Sequence, residues 1–151
     1  MNQPDETIIQ MFVATDQRDW GLVKDCFGEQ VNLDYSSMNG NPAMKLTPDK
    51  IIESWQGILP GFESTHHQVG NILVENKGNK AQVFCYGTAT HYLSKSINNE
   101  DGHVWTVVGS YDFELEKNAD DKWKIVSMVF NFKYQDGNLM LPQRAIENVS
   151  E

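Results

Sequence analysis

Apolar residues near the start of the chain recur at helical spacing. After Pro4 and two acidic residues, this spacing of Ile8, Ile9, Phe12 and Val13 predicts a helix that ends near Thr15. Asp19 then stands where a cap is expected for a short second helix, whose inward residues would be Trp20, Val23, Cys26 and Phe27. The opening segment therefore predicts two consecutive helices.

A strand, a loop and a third helix are predicted next. The period of a half-buried strand appears where Val31, Leu33 and Tyr35 alternate with polar residues, and residues 39–42 (Asn-Gly-Asn-Pro) predict a loop. Thr47 is placed to cap a helix with Pro48 at its first position. One side of that helix would carry Ile51, Ile52, Trp55, Ile58 and Leu59 before it stops at Pro60-Gly61.

From residue 64 onward the apolar period changes to two. Four long strands are predicted at 64–75, 80–94, 103–117 and 122–134, separated by turn-rich stretches at 76–79, 96–102 and 118–121. After Asp136-Gly137 the periodicity is weak, and we expect a mostly irregular tail. Helices at the front and antiparallel strands at the back are typical of an α+β domain. A strongly bent sheet with helices on its concave side would leave a cavity, where ligands commonly bind.

Composition narrows the classes of partner. A chain of 151 residues predicts a single domain over 1–151. The net charge of −9 disfavours nucleic acid and anionic membranes, because both are bound through clustered Lys and Arg. The N-terminus lacks a basic start and an apolar run, so we expect no signal peptide, no membrane span and a cytoplasmic protein. The two cysteines, Cys26 and Cys85, are expected to be buried and reduced.

Histidines are the first candidates for chemistry. His91 shares the odd-numbered face of its predicted strand with small or apolar residues, which leaves space beside the imidazole. The alternative is a buried neutral histidine that is satisfied by a backbone carbonyl. In the preceding strand a regular register would turn His66 inward, whereas a bulge at Gly70-Asn71 would turn His67 inward. Alternation alone does not choose between these two histidines.

Established local motifs for other chemistries are missing from the sequence. It contains no nucleotide-binding glycine motif, no nucleophile elbow and no C-x-x-C. His67, His91 and Asp16 could in principle form a two-histidine, one-carboxylate iron site. Their spacing is not a local metal motif, and we therefore expect neither a metal nor a cofactor.

Several short segments, taken in order, resemble one protein family. They are A-T-D-Q-R-D-W (14–20), D-Y-S (34–36), L-T-P-D-K-I-I-E-S-W (46–55), T-H-H-Q-V-G-N (65–71), A-T-H-Y (89–92) and G-S-Y (109–111). Together they resemble the SnoaL-like branch of the nuclear transport factor 2-like superfamily, which includes polyketide cyclases, scytalone dehydratase and ketosteroid isomerase. The resemblance implies a cone-shaped α+β barrel, with three N-terminal helices packed on the concave face of a strongly bent, mixed, mainly antiparallel sheet.

Scytalone dehydratase has the most similar pattern, and that similarity implies a catalytic set of Asp16, Tyr35, His67 and His91. It implies that His67, not His66, faces inward. It also implies that an Asp16-oriented His91 takes a proton beside a carbonyl, while His67 and Tyr35 polarise the oxygen or handle the leaving water. The pattern departs at Thr15 and at Ser110-Tyr111, where the dehydratase has a tyrosine and an asparagine. Ligand-binding walls are expected from Trp20, Trp55, Trp105, Tyr111, Phe113 and Phe130.

Three functions are compatible with this reading. The first is cofactor-independent acid–base catalysis, of the dehydratase, cyclase or isomerase type, on a small hydrophobic or aromatic, polyketide-like molecule. The second is a small-molecule-binding module of the same fold without chemistry. The third is a structural small subunit of a ring-hydroxylating dioxygenase. The resemblance also implies a homodimer or higher homo-oligomer, which would cover the apolar sheet face.

Overall fold

A curled, six-stranded sheet is the scaffold of the protein in the computed structural model, which describes residues 3–95 and 99–150. Its strands are β1 (Phe27–Asp34), β2 (Met44–Leu46), β3 (Ser64–Lys77), β4 (Lys80–Tyr92), β5 (Val104–Lys117) and β6 (Trp123–Gly137). Their order across the sheet is β2-β1-β6-β5-β4-β3. The β1–β6 pair is parallel and the others are antiparallel, which confirms the mixed, mainly antiparallel sheet. The sheet does not close, and its edges are β2 and β3.

Helices precede and follow the long strands. They are α1 (Pro4–Gln17), α2 (Trp20–Cys26), α3 (Ser36–Asn39), α4 (Pro48–Gln56) and α5 (Leu141–Ser150), with 3₁₀ turns at Leu59–Gly61 and Asn99–Asp101. Two of the predicted caps are formed, because Asp19 accepts from the Leu22 amide and Thr47 accepts from the Lys50 amide. None of the described helices is long and apolar enough to cross a membrane.

Several predicted boundaries and elements are corrected. Phe27 begins β1 instead of ending α2, and α4 ends at Gln56 before a separate 3₁₀ turn. Residues 36–39 form a single helical turn, and β2 follows the predicted loop. The hairpin between β3 and β4 is tighter than predicted, with Lys77 opposite Lys80. Of the predicted turn at 96–102, residues 96–98 lie outside the described residues.

The tail after Gly137 was predicted to be irregular, but it contains α5. This helix buries Leu141 and Ala145 against the 3₁₀ turn that follows α4. The approach is close, because a Cβ on Gly61 would lie 1.9 Å from the Ala145 carbonyl oxygen. Only these two residues of α5 are buried, and the expectation of an irregular tail is wrong over Leu141–Ser150.

Candidate active site

A bulge in β3 decides which neighbouring histidine faces the helices. Between Gly70 and Leu73 the register against β4 shifts, and Asn71 takes a positive φ of 51°. The extra residue reverses the side-chain parity of the strand before it. His67 therefore turns inward opposite Ala89, while His66 is exposed on the other face. Of the two alternatives left open by the alternation, the structure has the bulged one.

Asp16 accepts three hydrogen bonds from β3. The Thr65 hydroxyl donates to Oδ1 at 2.9 Å, the His67 backbone amide donates to Oδ2 at 2.7 Å, and His67 Nδ1 lies 2.7 Å from Oδ1. Asp16 stands in the last turn of α1, where the helix dipole disfavours a carboxylate. Its position is thus stabilised by β3 and not by its own helix.

These contacts determine the charge and tautomer of the pair. Burial alone would raise the pKa of Asp16, but the hydrogen bonds and charge interaction with His67, together with the Thr65 bond, outweigh it and lower the pKa. An ionised carboxylate only accepts, so His67 Nδ1 carries the hydrogen and donates it to Asp16. In the neutral imidazole, Nε2 is then left with a lone pair. His67 lies in the wall of a cavity between the helices and the sheet, so the arrangement can supply a general base there.

His91 has a different environment from the one predicted. Its Nδ1 lies 3.0 Å from the Trp105 carbonyl oxygen, a group that only accepts, so Nδ1 donates. Burial lowers the pKa of His91 to about 4, although the Trp105 bond and the Asp16 charge favour the protonated form. The predicted orientation of His91 by Asp16 is wrong, because Asp16 binds His67. His91 is the buried neutral histidine of the alternative interpretation, and its ring centroid lies 5.9 Å from that of His67.

A cavity of about 430 Å³ lies between the helices and the sheet. Its walls include His67, Tyr35 and four of the predicted ligand-binding residues: Trp55, Trp105, Tyr111 and Phe130. Trp20 and Phe113 do not line it. Trp20 packs partly buried against the core from α2, and Phe113 is a core residue that is 1% exposed. His91 also lies outside the lining, behind Trp105, with ring centroids 4.3 Å apart.

Two tyrosines, Tyr35 and Tyr111, lie in this wall, and their phenol groups interact. Burial raises the pKa of both. Both phenols therefore stay protonated at neutral pH and act as hydrogen-bond donors. The Phe12 ring contacts both His67 and Tyr111. It stacks on His67 with ring centroids 5.4 Å apart, and its centroid lies 5.2 Å from that of the Tyr111 ring.

Paired glycines make room for the rings on the cavity floor. Gly87 and Gly109 are opposite each other on β4 and β5. A Cβ on Gly87 would lie 2.4 Å from the Tyr111 ring, and one on Gly109 would lie 2.6 Å from the Phe130 ring. Both rings can lie against the sheet only because these positions have no side chain.

Sequence reasoning missed several residues of the site. Thr65 shares the inward face of His67, but this follows only once the bulge is located. Phe12 was assigned to the helix core, and the cavity mouth formed by Met38, Asn39, Asn41 and Met44 gave no periodic signal. A second depression of about 370 Å³ lies near Leu73, Phe84 and Glu114, away from the histidines. Among residues 3–95 and 99–150, no group of three or more His, Cys, Asp or Glu side chains is placed to hold a metal.

Comparison with known proteins identifies the family. The sequence profile of the SnoaL-like domain matches residues 6–129, which is most of the chain. The chain belongs to the SnoaL-like domain family. The resemblance seen in the short segments is thereby confirmed. No protein among the curated ones matches this SnoaL-like chain.

Solved structures share the fold of this SnoaL-like domain. The Kfla4162 protein from Kribbella flavida superposes with a TM-score of 0.81 at 20% identity, over 97% of this chain and 93% of that one. A protein from Novosphingobium aromaticivorans, named provisionally as a scytalone dehydratase, superposes with a TM-score of 0.69 at 17% identity, over 88% of this chain and 83% of that one. A hexachlorocyclohexane dehydrochlorinase, LinA type 2, superposes with a TM-score of 0.70 at 15% identity, over 88% of this chain and 84% of that one. At these identities the similarity establishes the α+β, nuclear transport factor 2-like fold alone.

Proposed function

We propose that this chain is a cofactor-independent enzyme that removes a proton from carbon in a small, largely apolar molecule. The reaction would be a dehydration, cyclisation or isomerisation. The observation that carries the proposal is the Asp16–His67 pair, with Nδ1 on the carboxylate at 2.7 Å and the imidazole in the wall of a cavity with aromatic sides. A carboxylate behind an imidazole fixes the tautomer of the base and stabilises the imidazolium that forms.

In the proposed reaction, His67 Nε2 takes a proton from a carbon of the substrate. The electron pair of that C–H bond becomes part of a new double bond, and in an elimination the leaving group departs with its own bonding pair. A leaving hydroxide would take the proton back from His67 and depart as water. Tyr35, supported by Tyr111, donates a hydrogen bond to the substrate oxygen.

Names of two structural neighbours support this type of chemistry. A dehydratase removes water and a dehydrochlorinase removes hydrogen chloride, and both reactions lose a proton from carbon together with a leaving group. The predicted catalytic role of His91 is revised in this proposal. His91 supports the Trp105 wall through its bond to the backbone carbonyl and does not act as the base.

A homodimer or higher homo-oligomer stays a prediction for this chain. Tyr86 and Tyr134 are 45% and 55% exposed on the outer sheet face, which supports an interface there. Size-exclusion chromatography with light scattering would measure the oligomeric state. A monomer at micromolar concentration would refute the predicted homo-oligomer. Co-purification with a large oxygenase subunit would favour the structural-subunit function instead.

The base can be tested without knowing the natural substrate. The neutral bicycle 5-nitrobenzisoxazole opens to a coloured phenolate when a base removes the C–H proton of its isoxazole ring, with formation of a nitrile and cleavage of the N–O bond. Since a positioned base contributes roughly 10²- to 10⁴-fold, His67→Gln should lower kcat/KM for this probe by at least about 100-fold. His66→Gln, at the exposed neighbour, is the matched control and should keep the wild-type rate.

Two results would contradict the proposal. One is a wild-type rate no higher than that of free imidazole at equal concentration. The other is an equal rate for wild type and His67→Gln. Probe binding together with the first result would identify a binding module without chemistry, whereas the second result would exclude His67 as the base.

A further inference from the structure

Thr65 contacts the same carboxylate oxygen as the proposed base. Its hydroxyl donates to Asp16 Oδ1 at 2.9 Å, and His67 Nδ1 lies 2.7 Å from that same atom. Thr65 is only 7% exposed. Two donors therefore share one oxygen of a partly buried carboxylate, and one of them is a neutral hydroxyl that takes no part in proton transfer.

We propose that Thr65 is a positioning residue that fixes the Asp16 carboxylate and limits how much of its charge acts on His67. This inference rests on the proposed function, in which His67 is the base. Thr65, Asp16 and His67 then form one hydrogen-bonded unit, of which only His67 lines the cavity.

The geometry gives Thr65 this role because, among the residues that the structure describes, His67 alone otherwise holds the carboxylate. The backbone amide of His67 binds Oδ2 and its ring binds Oδ1. Without the hydroxyl, any movement of His67 would carry Asp16 with it. Thr65 holds the carboxylate independently of His67. It is paired with His91 on the neighbouring strand, and its β-branched side chain has few rotamers.

Charge sharing gives the second part of the role. A hydrogen bond to a carboxylate oxygen draws negative charge toward the donor, so less of it remains to stabilise an imidazolium on the same atom. Removing the hydroxyl would concentrate the Asp16 charge on His67. The pH dependence of the rate would then change.

Other titratable groups that face the pair do not change charge near neutral pH. From β4, His91 has its pKa lowered to about 4 by burial. From β5, Tyr111 has its pKa raised well above its usual value by burial, and Tyr35, which it contacts, is raised as well. On α1 itself, the Arg18 guanidinium donates to the carbonyls of Leu59 and Phe62 instead of to Asp16. A shift in the acidic limb of the pH–rate profile can therefore be assigned to the Thr65–Asp16–His67 unit.

The test compares pH–rate profiles for 5-nitrobenzisoxazole. Thr65→Val keeps the shape of the side chain but removes the hydroxyl. We expect the plateau kcat to fall about tenfold, because the base is less well held. We also expect the acidic limb of the profile to move to higher pH. Thr65→Ser restores the hydroxyl and should return both quantities to near wild type. Thr88→Val, which removes an exposed hydroxyl on β4, is the matched control.

The outcomes separate this inference from the proposed function. If Thr65→Val has the wild-type limb and plateau while His67→Gln loses the rate, Thr65 has no positioning role and the base assignment stands. If His67→Gln keeps the rate, the proposed function fails first. Equal impairment of Thr65→Ser and Thr65→Val would also overturn the inference, since packing and not the hydroxyl would then matter. If Thr65→Val does not fold, Thr65→Ala against Thr65→Ser gives the same comparison.

Discussion

The deep end of the cavity and its mouth are built in different ways. At the deep end, Asp16 joins α1 to β3 through bonds of 2.7 to 2.9 Å from His67 and Thr65, and the floor is formed by rings packed on Gly87 and Gly109. The mouth segment, residues 36–46, is mostly exposed. Its main attachments are the three-residue pairing of β2 and two hydrogen bonds of Ser37 with β6.

This difference separates chemistry from access. Catalytic groups need to be held within a fraction of an ångström, and bonds between several elements provide that at the deep end. A ligand needs an entrance, and a segment with few buried contacts opens at low cost. Changes at the deep end should therefore alter activity and global stability, whereas changes at the mouth should alter local opening.

The largest expected effect at the deep end comes from the buried His91. Burial lowers its pKa from 6.5 to about 4, so between these values the unfolded chain binds a proton that the folded chain does not. Stability should therefore fall as the pH drops through this window, by about 3 kcal/mol for this one residue. In His91→Gln this part of the pH dependence of stability should disappear. The free energy of unfolding would be measured with urea at pH 7, 6, 5 and 4.

Asp16 does not obscure this measurement. Its pKa is lowered from 3.8, so its contribution is present above that value and is lost only at more acidic pH. His66→Gln removes an exposed imidazole and should keep the wild-type slope. If His91→Gln has the same pH dependence as wild type, His91 is not a buried neutral group.

Much of this deep end could be predicted from the sequence, but its connections could not. Alternation in β4 correctly put His91 inward with Ala81, Val83, Cys85, Gly87 and Ala89. The partner of Asp16 could not be read, because one bulge residue decides which histidine faces α1, and because neither spacing nor resemblance gives a distance between elements. Trp20 and Phe113 were misassigned because inward-facing aromatics in the core and in a cavity wall have the same periodicity.

The mouth was the least predictable region for a physical reason. Few of its residues are buried, so no hydrophobic period marks α3 or β2. Its turn is defined by single polar contacts, such as the Asp34 carboxylate accepting from the Ser36 amide at 2.9 Å. Contacts of this kind leave no pattern in one sequence, since Asp and Ser are common in every loop.

An intermediate effect is expected at the cavity floor. In Gly109→Ala, the new methyl group would lie 2.3 Å from the Asn131 carbonyl oxygen and 2.6 Å from the Phe130 ring. Because backbone must move to relieve this, we expect a loss of about 2 to 3 kcal/mol in the free energy of unfolding. Gly70→Ala, where nothing lies within 4 Å of the added atom, should change it by less than about 0.5 kcal/mol. Equal losses in urea titrations would contradict the distinction.

The smallest expected effect is at the mouth, and it sharpens the comparison most directly. Ser37 Oγ donates to the Phe130 carbonyl at 2.7 Å and accepts from the Phe132 amide at 2.9 Å, where β1 no longer covers β6. Ser37→Ala should cost about 1 kcal/mol and speed hydrogen exchange of the Phe132 amide roughly fivefold. The His67 amide, bound to Asp16, should exchange as in wild type, and Ser36→Ala should change neither amide. If both amides exchange faster in Ser37→Ala, the mouth and the deep end open as one unit and the proposed separation is wrong.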